Sequence, residues 1–364
     1  MHILFVTDFY KPHVGGVEKL FSSLAETLVT DGNEATFITW KYNKQLPAKE
    51  TIKGVTIYRI AAPARLLFSL IALPQIIRQG RHAQIIHTST YSAAIGAWLA
   101  GKLLGKKVII TVHEVWASLW LKMPFLSKPS RWVFKGFEKW LLKLSFDHYV
   151  AVSDFTRKTL ENNGIAKQKI TRIYNGILYD LPLWKKPGQP FTFCFFGRAG
   201  ASKGLDILID ATKEMQQKNT QIRFKFIVSP QIPRIFKKIK HEICNGKLST
   251  SSIFLSQLPH EQLINELLTS HCVIIPSLCE GFGFTAVEAC SMKIPLISSG
   301  QGSLPEVVSG NIITMDEYSP QGLIDAMQKA IDGNFEHIED KKFTVETFVE
   351  NHKQLYYNIL QNNK

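Results

Sequence analysis

The chain has 364 residues, 45% of them apolar and 20% charged, which fits a folded soluble protein of two domains of roughly 150–200 residues each. No repeat or low-complexity tract points to a solenoid or a fibre. The formal charge of +13 is unevenly spread: residues 1–180 hold 24 Lys and Arg against 12 Asp and Glu, residues 181–364 hold 19 against 18. The basic first half implies an anionic partner on that side: a membrane, a phosphorylated acceptor or nucleic acid.

Met1-His2-Ile3-Leu4-Phe5-Val6 lacks the basic start and cleavage site of a secretory signal and reads as a first buried strand. A loop through Lys11-Pro12-His13-Val14-Gly15-Gly16 leads into a helix from about Val17, where Leu20, Leu24 and Leu28 recur at helical spacing. Strands are predicted at residues 35–39, 55–59, 85–87, 107–112 and 148–152, with helices between them. The apolar run from Leu66 to Ile77 is too short to cross a bilayer and carries Pro74 and Gln75. Pro182, Pro187, Gly188 and Pro190 place an interdomain linker at residues 179–190. The alternation then restarts, with strands at 191–196, 223–228, 253–255, 272–275 and 295–298 and helices at 261–270, 285–291 and 344–360. Two successive α/β units predict mostly parallel sheets with ligands at the carboxyl ends of the strands. Five cysteines without a Cys-x-x-Cys pair suggest thiols in a reducing cytoplasm. Cys279 and Cys290 have apolar neighbours, where packing explains them better than catalysis.

Four segments hold candidate chemistry. Gly15-Gly16, between a strand and a helix, is either a plain turn or a close approach to phosphate. Gly197-Arg198 followed by Lys203-Gly204 sets two cations in a glycine-rich turn, suited to a diphosphate more than to a solvated loop. In Pro276-Ser277-Leu278-Cys279-Glu280-Gly281-Phe282-Gly283-Phe284-Thr285, free backbone N–H groups and a helix start meet a carboxylate, and Glu288 follows one turn on. Glu280 and Glu288 could hold sugar and ribose hydroxyls, or be ordinary surface charges. His113, in Thr111-Val112-His113-Glu114, is equally a sugar ligand or a structural histidine. Asp8 and Asp154 hold similar strand-end positions with weaker cases. No His or Cys ligand array and no Asp-x-Asp is present, so no metal site and no cofactor is expected. Cations and a helix dipole would have to neutralise a leaving diphosphate.

In order and spacing these motifs resemble the family 4 retaining glycosyltransferases of GT-B fold, over nearly the whole chain. Phe9 to Glu18 is similar to the family's glycine-rich opening loop. Gly197-Arg198 and Lys203-Gly204 match its diphosphate element, and Glu280 and Glu288 its paired glutamates. The resemblance implies an α/β fold of two Rossmann-like domains with a cleft between them. Residues 1–180 would bind the acceptor, 181–343 the nucleotide-sugar, and the helix at 344–364 would cross back to the first domain. It further implies catalytic roles for His113, Arg198, Lys203 and Glu280. Donor contacts would come from Gly15, Gly16, Arg198, Lys203, Glu280, Gly281, Phe282, Gly283, Phe284, Thr285 and Glu288. A UDP- or GDP-sugar would be the co-substrate, and a glycan or lipid-linked molecule the acceptor, with hexose or N-acetylhexosamine transferred in cell-envelope polysaccharide or lipopolysaccharide synthesis. The family's Gly-Gly-x-Pro-Glu stands here as Gly302-Ser303-Leu304-Pro305-Glu306, and Lys293 replaces a frequent glycine.

Residues 118–143 hold six basic residues and one acidic one, with aromatics interleaved. Lys122, Lys128, Arg131, Trp132, Lys135, Lys139, Trp140 and Lys143 form a basic amphipathic pattern. It suits either an anionic membrane surface or a docking helix with a solvated basic face. The first reading places a cytoplasmic protein peripherally on the inner face of the cytoplasmic membrane. Nucleic acid is not expected as a partner, since no nucleic-acid motif accompanies the charge. Two rival readings are a sugar-nucleotide epimerase of similar fold and a non-catalytic sugar- or nucleic-acid-binding protein.

Overall fold

The computed structural model describes every residue except 14, 231, 246, 247, 249–251 and 362–364, so Val14 of the opening loop and the end of the 344–364 segment lie outside the described residues. The chain divides into two units: residues 1–117, 136–176 and 343–364 form the first, residues 118–135 and 177–342 the second.

The first unit opens with β1 (His2–Thr7), α1 (Gly16–Thr30), β2 (Glu34–Trp40), β3 (Lys49–Ile52) and β4 (Val55–Ile60). It continues with α2 (Arg65–Ile71), α3 (Leu73–Gly80), β5 (Ile85–Ser89), α4 (Ala94–Leu104) and β6 (Lys107–Val112). Helix α5 (Lys128–Lys143), whose first half to Lys135 groups with the second unit, precedes β7 (His148–Ala151), α6 (Asp154–Asn162) and β8 (Ile170–Arg172), which complete the first unit's series. The sheet order is β3-β4-β2-β1-β5-β6-β7-β8, parallel except for the β3–β4 hairpin at one edge. Ile3 to Val6 of β1 are fully buried because helices cover both faces of a central parallel strand. That requirement is why such strands read as unbroken apolar runs.

The second unit contains β9 (Thr192–Arg198), α7 (Leu205–Lys218), β10 (Arg223–Ser229), α8 (Pro233–Cys244), β11 (Ser252–Leu255) and α9 (His260–Leu268). There follow β12 (Cys272–Ile275), α10 (Phe284–Ser291), β13 (Leu296–Ser298), α11 (Leu304–Val307), β14 (Gly310–Thr314), α12 (Pro320–Ile331) and β15 (Glu336–Ile338). Its order, β11-β10-β9-β12-β13-β14-β15, repeats the arrangement of the first sheet, with β15 antiparallel at the edge. Both sheets therefore place their first strand beside their fourth parallel one, the doubly wound pattern of a Rossmann-like fold.

Two segments differ from their appearance in the sequence. The proline-rich stretch at 179–190 is packed: Trp184 donates its indole N–H to Ser270 O at 2.8 Å, and its backbone N–H to Met292 O. Residues 118–135 group with the second unit, where Phe125 packs against that unit's core beneath Lys238. Helix α13 (Val345–Gln361) groups with the first unit and packs on α1. It buries Phe348, His352, Leu355 and Tyr356, and Lys353 reaches Asp31 at 2.8 Å. Tyr356 and Thr111 hydroxyls flank the buried His87 ring at 2.5 and 2.8 Å. Burial holds His87 well below its ordinary value and pushes His352 down to about 4, so both rings are neutral.

Candidate active site

Each sheet offers a crevice where its strand order reverses, because helices leave the two adjacent strands toward opposite faces. In the second unit that point lies between β9 and β12. The loops after these strands touch: Leu278 N–H donates to Ser202 O at 2.8 Å. Gly204 has φ +65°, and a Cβ there would lie 1.7 Å from Pro276 O, so only glycine lets the two loops close.

This closure brings together residues 77 apart in sequence. Lys203 Nζ donates to Glu280 Oε1 at 2.7 Å, and Ser277 Oγ donates to the same oxygen at 2.6 Å. The Glu280 side chain is only 7% exposed and Lys203 18%, so the pair is partly desolvated. Behind it, Ser303 donates both its N–H and its hydroxyl to Glu280 O, at 3.0 and 3.1 Å. Gly302 (φ +69°) permits this approach, since a Cβ there would come within 2.4 Å of that carbonyl. The serine that departs from the family's second glycine thus helps fix the glutamate's backbone.

Gly283, at φ +86°, caps α10, whose first N–H groups, those of Phe284 and Thr285, have no intrahelical acceptor. Gly281 and Phe282 are buried in that loop, and Glu288 lies half-buried one turn inside the helix. Arg198 ends β9 with an exposed side chain, its carbonyl tied to Gly200 N–H at 2.7 Å. Cys279 and Cys290 are buried, and burial pushes the Cys290 thiol up to about 11, which leaves it a poor nucleophile.

The first unit's switch point, between β1 and β5, is built differently. Asp8 follows β1 and is nearly buried, and Arg65 Nε donates to its Oδ2 at 2.8 Å. Burial raises the Asp8 carboxyl, with Arg65 opposing the shift. Phe9 stacks on His13 with centroids 4.1 Å apart, and the Arg65 guanidinium lies over the Phe9 ring. Gly15 caps α1 and Gly16 begins it, but the Glu18 carboxylate folds back to within 2.1 Å of where a Gly15 Cβ would sit. A carboxylate of the helix's own first turn therefore already meets its positive end. His113 follows β6, with its ring at 6.2 Å edge-on to Phe21 of α1.

Glu138 is a functional candidate that the sequence pattern does not reveal. Among six basic residues it reads as a surface charge, yet it is 2% exposed. Its carboxylate accepts from Tyr91 OH (2.8 Å), Trp116 N–H (3.0 Å) and Ala117 N–H (2.6 Å). It thereby holds the loop that begins with His113 and passes through the left-handed residue Ala117 (φ +46°). Arg65, Ser277 and Ser303 are hidden in the same way, since no local pattern distinguishes them.

On α5, Trp132 (63%) and Trp140 (47%) are exposed, and Lys135 Nζ lies 5.1 Å over the Trp132 ring. Lys122, Lys128, Lys139 and Lys143 face solvent and Lys135 is half-exposed. Arg131 is spent locally, donating to Leu121 O and Leu126 O. Among the described residues, no helix is long and apolar enough to cross a membrane, and no cluster of His, Cys, Asp or Glu is arranged to hold a metal.

Comparison with known proteins agrees with the order of these elements. A model of Glycosyltransferase Family 4 matches residues 14–180, and one of Glycosyl transferases group 1 matches residues 182–345. The matching component of the human phosphatidylinositol N-acetylglucosaminyltransferase is 24% identical, over 91% of this chain and 68% of its own length. The gpi3 component of the Schizosaccharomyces pombe phosphatidylinositol N-acetylglucosaminyltransferase is 25% identical, over 96% and 76%. Among solved structures, sucrose-phosphate synthase from Thermosynechococcus elongatus aligns over 99% of both chains with TM-score 0.78 at 17% identity. Anabaena HepE in complex with UDP and glucose aligns over 98% of this chain and 99% of its own, with TM-score 0.75 at 17% identity. These likenesses show the two-domain GT-B fold.

Proposed function

Because the chain belongs to the family 4 glycosyltransferases, we propose that it moves a hexose or N-acetylhexosamine from a UDP- or GDP-sugar to a glycan or lipid-linked acceptor. Retention of configuration and independence of metal are part of the proposal. So is a place in cell-envelope polysaccharide or lipopolysaccharide synthesis, in the cytoplasm at the membrane's inner face. The observation that carries the reading is the Lys203–Glu280–Ser277 cluster at the second unit's switch point. An ammonium has three N–H donors, so Lys203 can keep Glu280 and still donate to a diphosphate oxygen. Glu280 then accepts from donor-sugar hydroxyls, Glu288 from the ribose, and the N–H groups from Gly281 to Thr285 face the diphosphate. Arg198 supplies the second cation. His113 is assigned to the transferred sugar; at Gly15-Gly16 the Glu18 carboxylate already meets the helix start, which opposes a phosphate there.

In the proposed step the acceptor oxygen bonds the anomeric carbon on the face from which the phosphate oxygen departs. The acceptor proton passes to a β-phosphate oxygen, and Lys203, Arg198 and the start of α10 balance the charge of the nucleoside diphosphate released. HepE was solved with UDP and glucose, which supports a UDP-sugar. Relatives named for phosphatidylinositol and N-acetylglucosamine support a lipid-linked acceptor and an N-acetylhexosamine.

Incubating the protein with a panel of UDP- and GDP-sugars, with and without EDTA, tests the reading through released diphosphate and product mass. Acceptor-dependent release from one donor, unaffected by EDTA, is expected. Isomerised nucleotide-sugar without an acceptor, or binding without any release, would overturn it.

A further inference from the structure

We propose that α2 is a shallow membrane-inserting element that sets the carboxyl end of β1 against an anionic bilayer. The inference deepens the membrane reading above. It uses a different element from the basic α5.

Helix α2 shows an apolar outer face: Leu66, Leu67, Leu70 and Ile71 are 67%, 46%, 52% and 44% exposed. Their spacing places all four on one side of a seven-residue helix. The inner side is locked. Phe68 is fully buried in the first unit's core, and Gly96 N–H of α4 donates to Ser69 Oγ at 2.5 Å. A Cβ at Gly96 would lie 2.3 Å from Ser69 O, so the two helices already touch along their backbones. The leucines therefore cannot roll inward to leave water. Arg65, the first residue of α2, is tied to Asp8 at the switch point. That tie puts the apolar face next to the first unit's crevice.

An exposed cluster of large apolar side chains marks an interaction surface. Its surroundings favour an anionic bilayer. Residues 61–82 contain Arg65, Arg78 and Arg81 and no Asp or Glu. Arg78 and Arg81 belong to the following helix and its end, where both are exposed. Leucines entering the acyl boundary and arginines meeting lipid phosphates is the usual division of labour at an interface. A second copy of the chain fits less well, since a twofold contact would bring two acid-free basic segments together.

Flotation of the full chain with vesicles of phosphatidylcholine, with and without phosphatidylglycerol, at low and high salt, tests this without any sugar donor. Wild type should float with anionic vesicles and keep a salt-resistant fraction. The Leu66→Gln/Leu70→Gln variant should lose that fraction, with roughly tenfold less protein bound, while its thermal melt stays unchanged. The Lys135→Gln/Lys139→Gln/Lys143→Gln variant should lose only the salt-sensitive part. Flotation of L66Q/L70Q equal to wild type would overturn the proposal. So would a wild-type dimer that the same variant turns into a monomer, which would assign α2 to a second copy. Failure of the donor panel with these results intact would sink the transfer reading and leave this one standing.

Discussion

The two switch points share a strand order and differ in what their loops bring to it. In the second unit the loops close glycine against carbonyl and force a lysine onto a buried glutamate. The first unit's loops bring an aspartate under an arginine, a stacked Phe9–His13 pair and a glutamate over its own helix start. Topology fixes where a ligand enters; loop residues fix its charge and shape. The second crevice suits an anion with hydroxyls attached. The first, walled by aromatic rings and flanked by exposed leucines, suits a less polar molecule.

The largest effect that would break this comparison is on turnover. Lys203→Ala should lower kcat/KM roughly 10²–10³-fold, the range for removing one donor to developing charge. Glu280→Gln should fall in the same range, since it loses the acceptor that sets Lys203 and the sugar hydroxyls. Steady-state kinetics below each variant's melting temperature separates this loss from the stability lost with a partly buried pair. Near wild-type kcat/KM in folded K203A would remove the second unit's claim to the diphosphate.

A second effect concerns acid, and it distinguishes the cores rather than the sites. The folded first unit keeps His352 neutral down to about 4, against 6.5 in the unfolded chain. Between those values the unfolded chain binds a proton that the folded chain refuses. Stability is therefore full above pH 6.5 and falls as pH drops, by about 1.4 kcal/mol per pH unit for each such histidine. His87 adds in the same direction. His271 of the second unit is lowered too, less strongly. Hydrogen exchange from pH 7 to 4.5 should show the first unit opening before the second, and His352→Leu should flatten that difference. Parallel opening of both units would contradict it.

Much of this architecture is legible in the sequence and some is hidden for identifiable reasons. Residues 107–112 and 272–275 are located to the residue because a buried parallel strand must be an unbroken apolar run. Edge strands escape that rule. Lys49–Ile52 alternates exposed and half-buried positions, and its turn, Lys53-Gly54 at φ +47° and +79°, is the only signal. The glycines and charges of the second unit's crevice are visible as motifs, but the Lys203–Glu280 contact is not, since the two come from different strand ends. Leu66 to Ile77 is legible as apolar but not as exposed, because an inward and an outward leucine look alike until the helix is placed.

Glu138 gives the smallest and most selective expected effect. Its carboxylate takes two backbone N–H groups and a tyrosine hydroxyl at once. Glu138→Gln keeps the volume but turns one acceptor into a donor facing an N–H group, a loss of about 1–3 kcal/mol. The loop from His113 to Ala117 should loosen while every second-unit donor residue stays in place. Thermal melting should drop by several degrees, roughly 2–4 °C per kcal/mol for a domain of this size. Turnover should fall about tenfold from a misplaced loop, with the KM for the nucleotide-sugar unchanged. A raised donor KM with unaltered kcat would show that the His113 loop serves the nucleotide instead. The division of duties between the two crevices would then have to be redrawn.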